Sequence, residues 1–176
     1  MSRLSPPVGA DDHADGPSDA SVTLVEYGDY ECPYCGEAYP VIKAVQAALG
    51  RRLRFVFRNF PITQSHPHAL AAAGFAEAAA SIGRFWDAHD MLYENQEALR
   101  TADLLSYGER IGLAREAVIA AVEGRYAAKI RTDFASGVRS GVNGTPTLFV
   151  DGERYDGPRD VDALVAALDA TARLRD

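Results

Sequence analysis

The chain of 176 residues contains two cysteines, three positions apart, in Cys32-Pro33-Tyr34-Cys35. Two chemistries use that spacing: a dithiol that closes into a disulfide, and a pair of thiolates supplying half of a tetrahedral zinc site. Disulfide exchange needs a thiolate, whereas an ordinary thiol, with a pKa of about 8.5, is mostly protonated at neutral pH. A helix N-terminus corrects this, because its unpaired N–H groups and positive dipole end favour an anion. Cys32, first in the tetrad, is predicted there as the exposed nucleophile. Cys35, one turn on, is placed to attack a mixed disulfide formed on Cys32, which makes it the resolving thiol. Pro33 suits the first helical turn, where its missing N–H would be unpaired anyway.

Zinc would need two further ligands. His66 and His68 are the only close-set histidines; they are split by Pro67 and lie outside a Cys/His finger spacing. The redox reading is preferred because the tetrad stands beside a βαβ pattern. A non-catalytic zinc-binding or partner-binding module is the alternative.

The elements that must position the tetrad are legible from periodicity. Residues 1 to about 20 are rich in Pro, Gly, Asp and Ser and are predicted to form an extended lead-in. Ser21 to Tyr27 crowds apolar residues onto both faces, as a central strand does, and ends at Gly28-Asp29. Tyr39, Ile42, Val45, Ala48 and Leu49 recur at helical spacing after the tetrad, with Pro40 inside the run and Gly50 closing it. Arg52 to Arg58 alternates with period two, predicting a second strand after one crossover helix.

Residues from about 68 to 141 are Ala-rich and helical, with breaks at Gly83, Thr101-Ala102, Gly112 and Gly124, room for four or five helices. Asp151-Gly152 between Thr147–Val150 and Glu153–Tyr155 signals a hairpin. Asp160 is the predicted N-cap of a last helix whose apolar face is Val161, Leu164, Val165 and Leu168. The order is α/β: strand, helix, strand, helical block, hairpin, helix. It places the cysteines at a strand–helix junction, where open α/β sheets carry their chemistry. The boundaries predicted are a lead-in over 1–20, a sheet domain over 21–65 and 142–176, and an inserted helical subdomain over 66–141.

Composition limits the partners. The net charge of −7 arises from 25 acidic and 18 basic side chains that are interspersed, with no basic run beyond Arg51-Arg52. Nucleic acid is therefore excluded as an expected partner. No run of eighteen apolar residues predicts membrane insertion, and no apolar stretch of signal-peptide length occurs in the first twenty residues. A cytoplasmic location is expected. With only two cysteines, the chain is not a disulfide-stapled scaffold.

Val142-Asn143-Gly144-Thr145-Pro146-Thr147 adds a proline directly before a strand, where a cis peptide is plausible. Together with the tetrad, the chain resembles the DsbA-like branch of the thioredoxin superfamily over roughly residues 12 to 172. More narrowly, DHADGPSDASVTLVEYGDYECPYCG, HPHAL, FWDAHDMLYE and GVNGTPTLFVDG resemble the bacterial DsbA-family group that also occurs fused to sodium/proton antiporters. The resemblance implies a thioredoxin fold with a mixed central sheet and a helical insertion, and a thiol:disulfide oxidoreductase needing no cofactor and no metal. It implies that Cys32 attacks, Cys35 resolves, and Pro146 is the cis-proline beside the disulfide. Thr145 would offer its backbone to an extended substrate. Glu26, six residues before Cys32, matches the family's buried acid, which can accept the Cys35 proton.

Implied partners are thiol- or disulfide-containing proteins, with a reductase or a low-molecular-weight thiol as electron partner. The second enzymatic reading is a small-molecule thiol enzyme akin to glutaredoxins or the kappa glutathione transferases, to which Tyr34 points.

The tetrad departs from the strong periplasmic oxidants of the family, which carry His where Tyr34 stands. A neutral Tyr does not stabilise a thiolate as an imidazolium does, and Asp29 and Glu31 beside Cys32 should oppose it. The expected couple is therefore less oxidising, at roughly −200 to −270 mV. Tyr30 and Tyr34 are predicted as exposed aromatic surface that could grip polypeptide, with Tyr27 and Tyr39 in the core. Phe85, Trp86, His89, Leu92 and Tyr93 read as a packed helical face. His13 with Asp12 matches the family pattern without an evident mechanism.

Overall fold

Local signals decide most element ends. In the computed structural model, which describes residues 2–174, the strand run Val22–Gly28 (β2) has every residue but Thr23 buried. Its predicted central place is confirmed, since the sheet order is β1 (His13–Asp15), β3 (Leu53–Asn59), β2, β4 (Thr147–Val150) and β5 (Glu153–Tyr155). Helix α1 (Pro33–Leu49) begins directly after Cys32 and carries Pro40 within it. One 3-10 turn, Gly50–Arg52, leads into β3 (Leu53–Asn59).

The hairpin forms from β4 (Thr147–Val150) and β5 (Glu153–Tyr155). Asp151 and Gly152 hold φ of 46° and 83°, the double positive φ that a two-residue turn of matching twist requires. Asp151 also locks the turn to the central strand: its carboxylate accepts from the Thr23 N–H at 2.8 Å, and its own N–H donates to the Thr23 carbonyl at 2.9 Å. Asp160 caps α7 (Val161–Arg173) by accepting from the Ala163 N–H at 2.9 Å, and α7 buries Leu164 and Leu168 against β2 and β4.

The helical block is five helices: α2 (Ala69–Ala80), α3 (Phe85–Glu94), α4 (Thr101–Ile111), α5 (Arg115–Val122) and α6 (Ala127–Arg139). Gly83, Gly112 and Gly124 between them all have positive φ. Helix α2 is the hub, packing on α3, α4 and α5. Gly74 lets it approach α5 closely, for a Cβ there would lie 2.7 Å from the Ala121 carbonyl oxygen.

Contacts divide the chain into two compact units. The first comprises residues 1–28, 37–58 and 135–176, and holds the sheet; the second comprises residues 29–36 and 59–134. The tetrad belongs by its contacts to the second.

Two expectations are corrected within the first unit. The lead-in is not merely extended: His13–Asp15 forms β1, antiparallel to β3, and Arg3 bridges to Glu153. The period-two reading of β3 also fails at Arg58, which is buried. Its guanidinium donates to both Asp12 carboxylate oxygens (2.7 and 2.9 Å), the Tyr27 hydroxyl (2.9 Å) and the Pro6 and Pro7 carbonyls. Burial alone would lower its pKa, but the bonds to Asp12 and Tyr27 reverse this and raise it. This ion pair ties the N-terminal arm to the sheet, and it gives Asp12 a role that its sequence context lacked.

Candidate active site

The segment from Asp29 to Gly36 is a tight turn running into α1. The Cys32 N–H donates to the Asp29 carbonyl at 3.1 Å, and the Gly36 N–H donates to the Cys32 carbonyl at 3.1 Å, closing the first helical turn. Cys32 thus holds the position immediately before the helix, Pro33 is its first residue, and Cys35 lies one turn along. Both cysteines are buried.

Burial differs from expectation at two positions. Cys32 is only 3% exposed, rather than openly displayed. Tyr30 is 1% exposed, whereas Tyr34 is 66% exposed. Tyr30 is withdrawn because α3 offers it an aromatic seat: its ring lies 5.5 Å from His89 and 4.9 Å from Tyr93, and its hydroxyl bonds His89 Nδ1 at 3.0 Å. Of the predicted helical face, Phe85, His89, Leu92 and Tyr93 are buried and Trp86 is half-buried. Of the two tyrosines predicted to be exposed, only Tyr34 is.

Gln96, which sequence reading did not single out, closes the turn. Its side-chain amide donates to the Tyr30 and Cys32 carbonyls, both at 2.9 Å. Gly36 makes room, since a Cβ there would meet Gln96 Oε1 at 2.0 Å. The glycine after Cys35 was the available signal, but nothing local names its partner sixty residues away.

The acids beside Cys32 are also held. Asp29, with a fully buried side chain, accepts from the N–H groups of Glu31 and Ile62 and from His66 Nδ1, each at 2.8 Å. Glu31 accepts from the His68 N–H at 2.6 Å. His68 stands at the N-cap position of α2 without a side-chain capping bond. The His66 pKa is raised: burial works against the charged form, but the bond to Asp29 and the charges of Asp29, Cys32 and Glu31 outweigh it. Among the described residues, no group of three or more His, Cys, Asp or Glu side chains is arranged to hold a metal ion.

The remaining predicted residues lie in the first unit. Glu26 is buried on β2 and pairs in register with Leu148 of β4. The Thr145–Pro146 peptide is cis. Thr145 is half-buried, Pro146 is buried, and the Thr147 hydroxyl donates to the Gly144 carbonyl at 2.7 Å, bracing the turn before β4.

A thioredoxin family model (Thioredoxin_4) matches residues 10–170. The chain belongs to the thioredoxin family. Within it, the fold is that of the DsbA-like members. The structure of oxidised BdbD from Bacillus subtilis superposes with a TM-score of 0.87 at 21% identity, covering 98% of both chains. That of α-DsbA1 from Wolbachia pipientis gives 0.82 at 15%, covering 99% of this chain and 97% of that one. A thioredoxin-like oxidoreductase from Silicibacter pomeroyi gives 0.80 at 27%, covering 95% and 94%.

Among curated proteins, a Na(+)/H(+) antiporter NhaA 3 of Salinispora tropica is 46% identical over 98% of this chain, which spans 27% of that protein. An NhaA of Herminiimonas arsenicoxydans is 41% identical over 97% of the chain, again 27% of its own length. The chain thus spans about a quarter of these relatives. No helix among its described residues is long and apolar enough to cross a membrane.

Proposed function

We propose that this chain, by family and fold a DsbA-like thiol:disulfide oxidoreductase, exchanges disulfides with protein or low-molecular-weight thiol substrates through a Cys32 mixed disulfide resolved by Cys35. The observation that carries the reading is the placement of Cys32 directly before the first residue of α1, with Cys35 one turn further. In the reducing direction the Cys32 thiolate attacks one sulfur of a substrate disulfide and releases the other as a thiolate. Cys35, deprotonated, then attacks the Cys32 sulfur and frees the second substrate thiolate. Two electrons pass from the dithiol to the substrate, and a Cys32–Cys35 disulfide remains. The oxidising direction is the reverse.

Glu26 is the proposed acceptor of the Cys35 proton, on the strength of the family pattern and its burial. Thr145 and the exposed Pro33 and Tyr34 are the proposed substrate contacts, and Pro146 is proposed with the catalytic residues as the cis-proline. Electrons would be exchanged with a reductase or a small thiol.

Insulin reduction and refolding of scrambled ribonuclease test the reading, each with a Cys32→Ser control. Activity lost in the control is expected; inactivity in both assays with every reductant overturns it. Tyr34 in the spacer favours a second reading, a glutaredoxin-like enzyme. Turnover of glutathione mixed disulfides without activity on proteins would select it.

A further inference from the structure

His66 and the acids beside the tetrad form one cluster. Three hydrogen bonds join the 62–68 loop to the 29–32 segment: the Ile62 N–H and His66 Nδ1 donate to the Asp29 carboxylate, and the His68 N–H donates to Glu31, while within the segment the Glu31 N–H also donates to Asp29. Cys32 is bonded to the main chain of the same Asp29. An ionised carboxylate only accepts, so Asp29 assigns the proton of the neutral imidazole to Nδ1 and leaves Nε2 as the site that gains or loses one. The imidazole keeps 18% exposure, enough for proton exchange with water, while its carboxylate partner has none.

Two charges that the sequence sets against the thiolate are thereby altered. Asp29 is not a bare anion: its carboxylate is hydrogen-bonded to His66 and becomes half of an ion pair whenever that imidazole is protonated, and Glu31 is held by a backbone donor. The spacer of the tetrad contains no cation; the 62–68 loop brings one from outside it.

We propose that His66, oriented by Asp29, is the cation that stabilises the Cys32 thiolate and so sets the reactivity of the tetrad from outside it. His66 acts as a positioning and electrostatic residue and exchanges no sulfur. The charges acting on the imidazole are those of Asp29, Cys32 and Glu31, all anionic, which is why its protonated form is favoured. The support is complete while His66 is protonated and disappears as pH rises through its raised pKa.

The inference rests on Cys32 being the attacking thiol, but its test does not use turnover. The reduced full chain is titrated by thiolate absorbance, and the His66 ring by NMR. In His66→Gln the Cys32 pKa should rise by roughly one unit or more, the size expected for losing an adjacent opposite charge. His66→Lys should recover at least half of that shift; failure to recover it means that the effect is structural, and overturns the proposal. By linkage, Cys32→Ser should lower the His66 pKa by the same amount that His66→Gln raises the Cys32 pKa. An unchanged Cys32 titration in His66→Gln, or equal His66 pKa values in the parent and Cys32→Ser, overturns it. If His66→Gln does not fold, the Cys32→Ser comparison decides alone. Loss of the proposed exchange activity with the coupled titration intact would discard the functional reading and leave the coupling standing.

Discussion

Asp29 and Glu31 look alike beside Cys32, yet one is buried in an ion pair with His66 and the other holds a single backbone N–H. The pairing makes stability depend on pH with a definite sign. The folded-state pKa of His66 is raised above its ordinary 6.5, so the pair contributes fully below about 6.5 and is lost as pH rises through the folded value. Thermal unfolding in a Cys32→Ser background, where that thiol does not titrate, should show a melting temperature that falls from pH 6 to pH 9. His66→Gln should flatten that fall. A fall of equal size in both proteins would refute the assignment. The parent couple is expected at roughly −200 to −270 mV by glutathione equilibration, and His66→Gln should be more negative, because a less stable thiolate favours the disulfide. A parent value near about −120 mV would contradict the first part.

At the scale of elements, the first turn of α1 is held by one side chain from the α3–α4 connection. Gln96→Ala removes two part-buried hydrogen bonds to backbone carbonyls and should cost about 1–2 kcal/mol in chemical denaturation. Gly36→Ala is more diagnostic. In an ordinary helix interior that change stabilises by about 1 kcal/mol. Here the added Cβ meets the far end of the Gln96 side chain, and moving that amide gives up its two hydrogen bonds, so the gain should be cancelled or turned into a loss of up to about 1 kcal/mol. Combining it with Gln96→Ala should restore the stabilising sign. Additivity of the two changes would show that they do not meet.

At the scale of the molecule, the N-terminal arm is part of the sheet unit. It pairs through β1, bridges β5 at Arg3, and surrounds the Arg58 guanidinium with Asp12, Pro6 and Pro7. Asp12→Ala leaves that cation buried without its carboxylate and should cost about 3–5 kcal/mol, measured by denaturation. Residues 3–15 should become the first site of proteolytic cleavage. A variant as stable and as resistant as its parent would show that the arm is dispensable.

What the sequence determined alone is what neighbours along the chain decide. The Cys-x-x-Cys spacing, the Asp151-Gly152 turn, the Asp160 cap, the glycine helix breaks and the apolar crowding of β2 all express backbone preferences or periodicity within a few residues. The tertiary structure decided whatever depends on partners far apart in sequence. Arg58 reads as an outward strand residue until Asp12, 46 positions away, arrives to pair with it. Tyr30 reads as exposed until α3 covers it. Asp29 reads as a charge opposing the thiolate until His66, 37 positions on, becomes its partner. Burial and pairing reverse the meaning of a charge or a ring, and only the folded chain brings those partners together. The cysteines therefore name the chemistry, and the groups folded around them tune it.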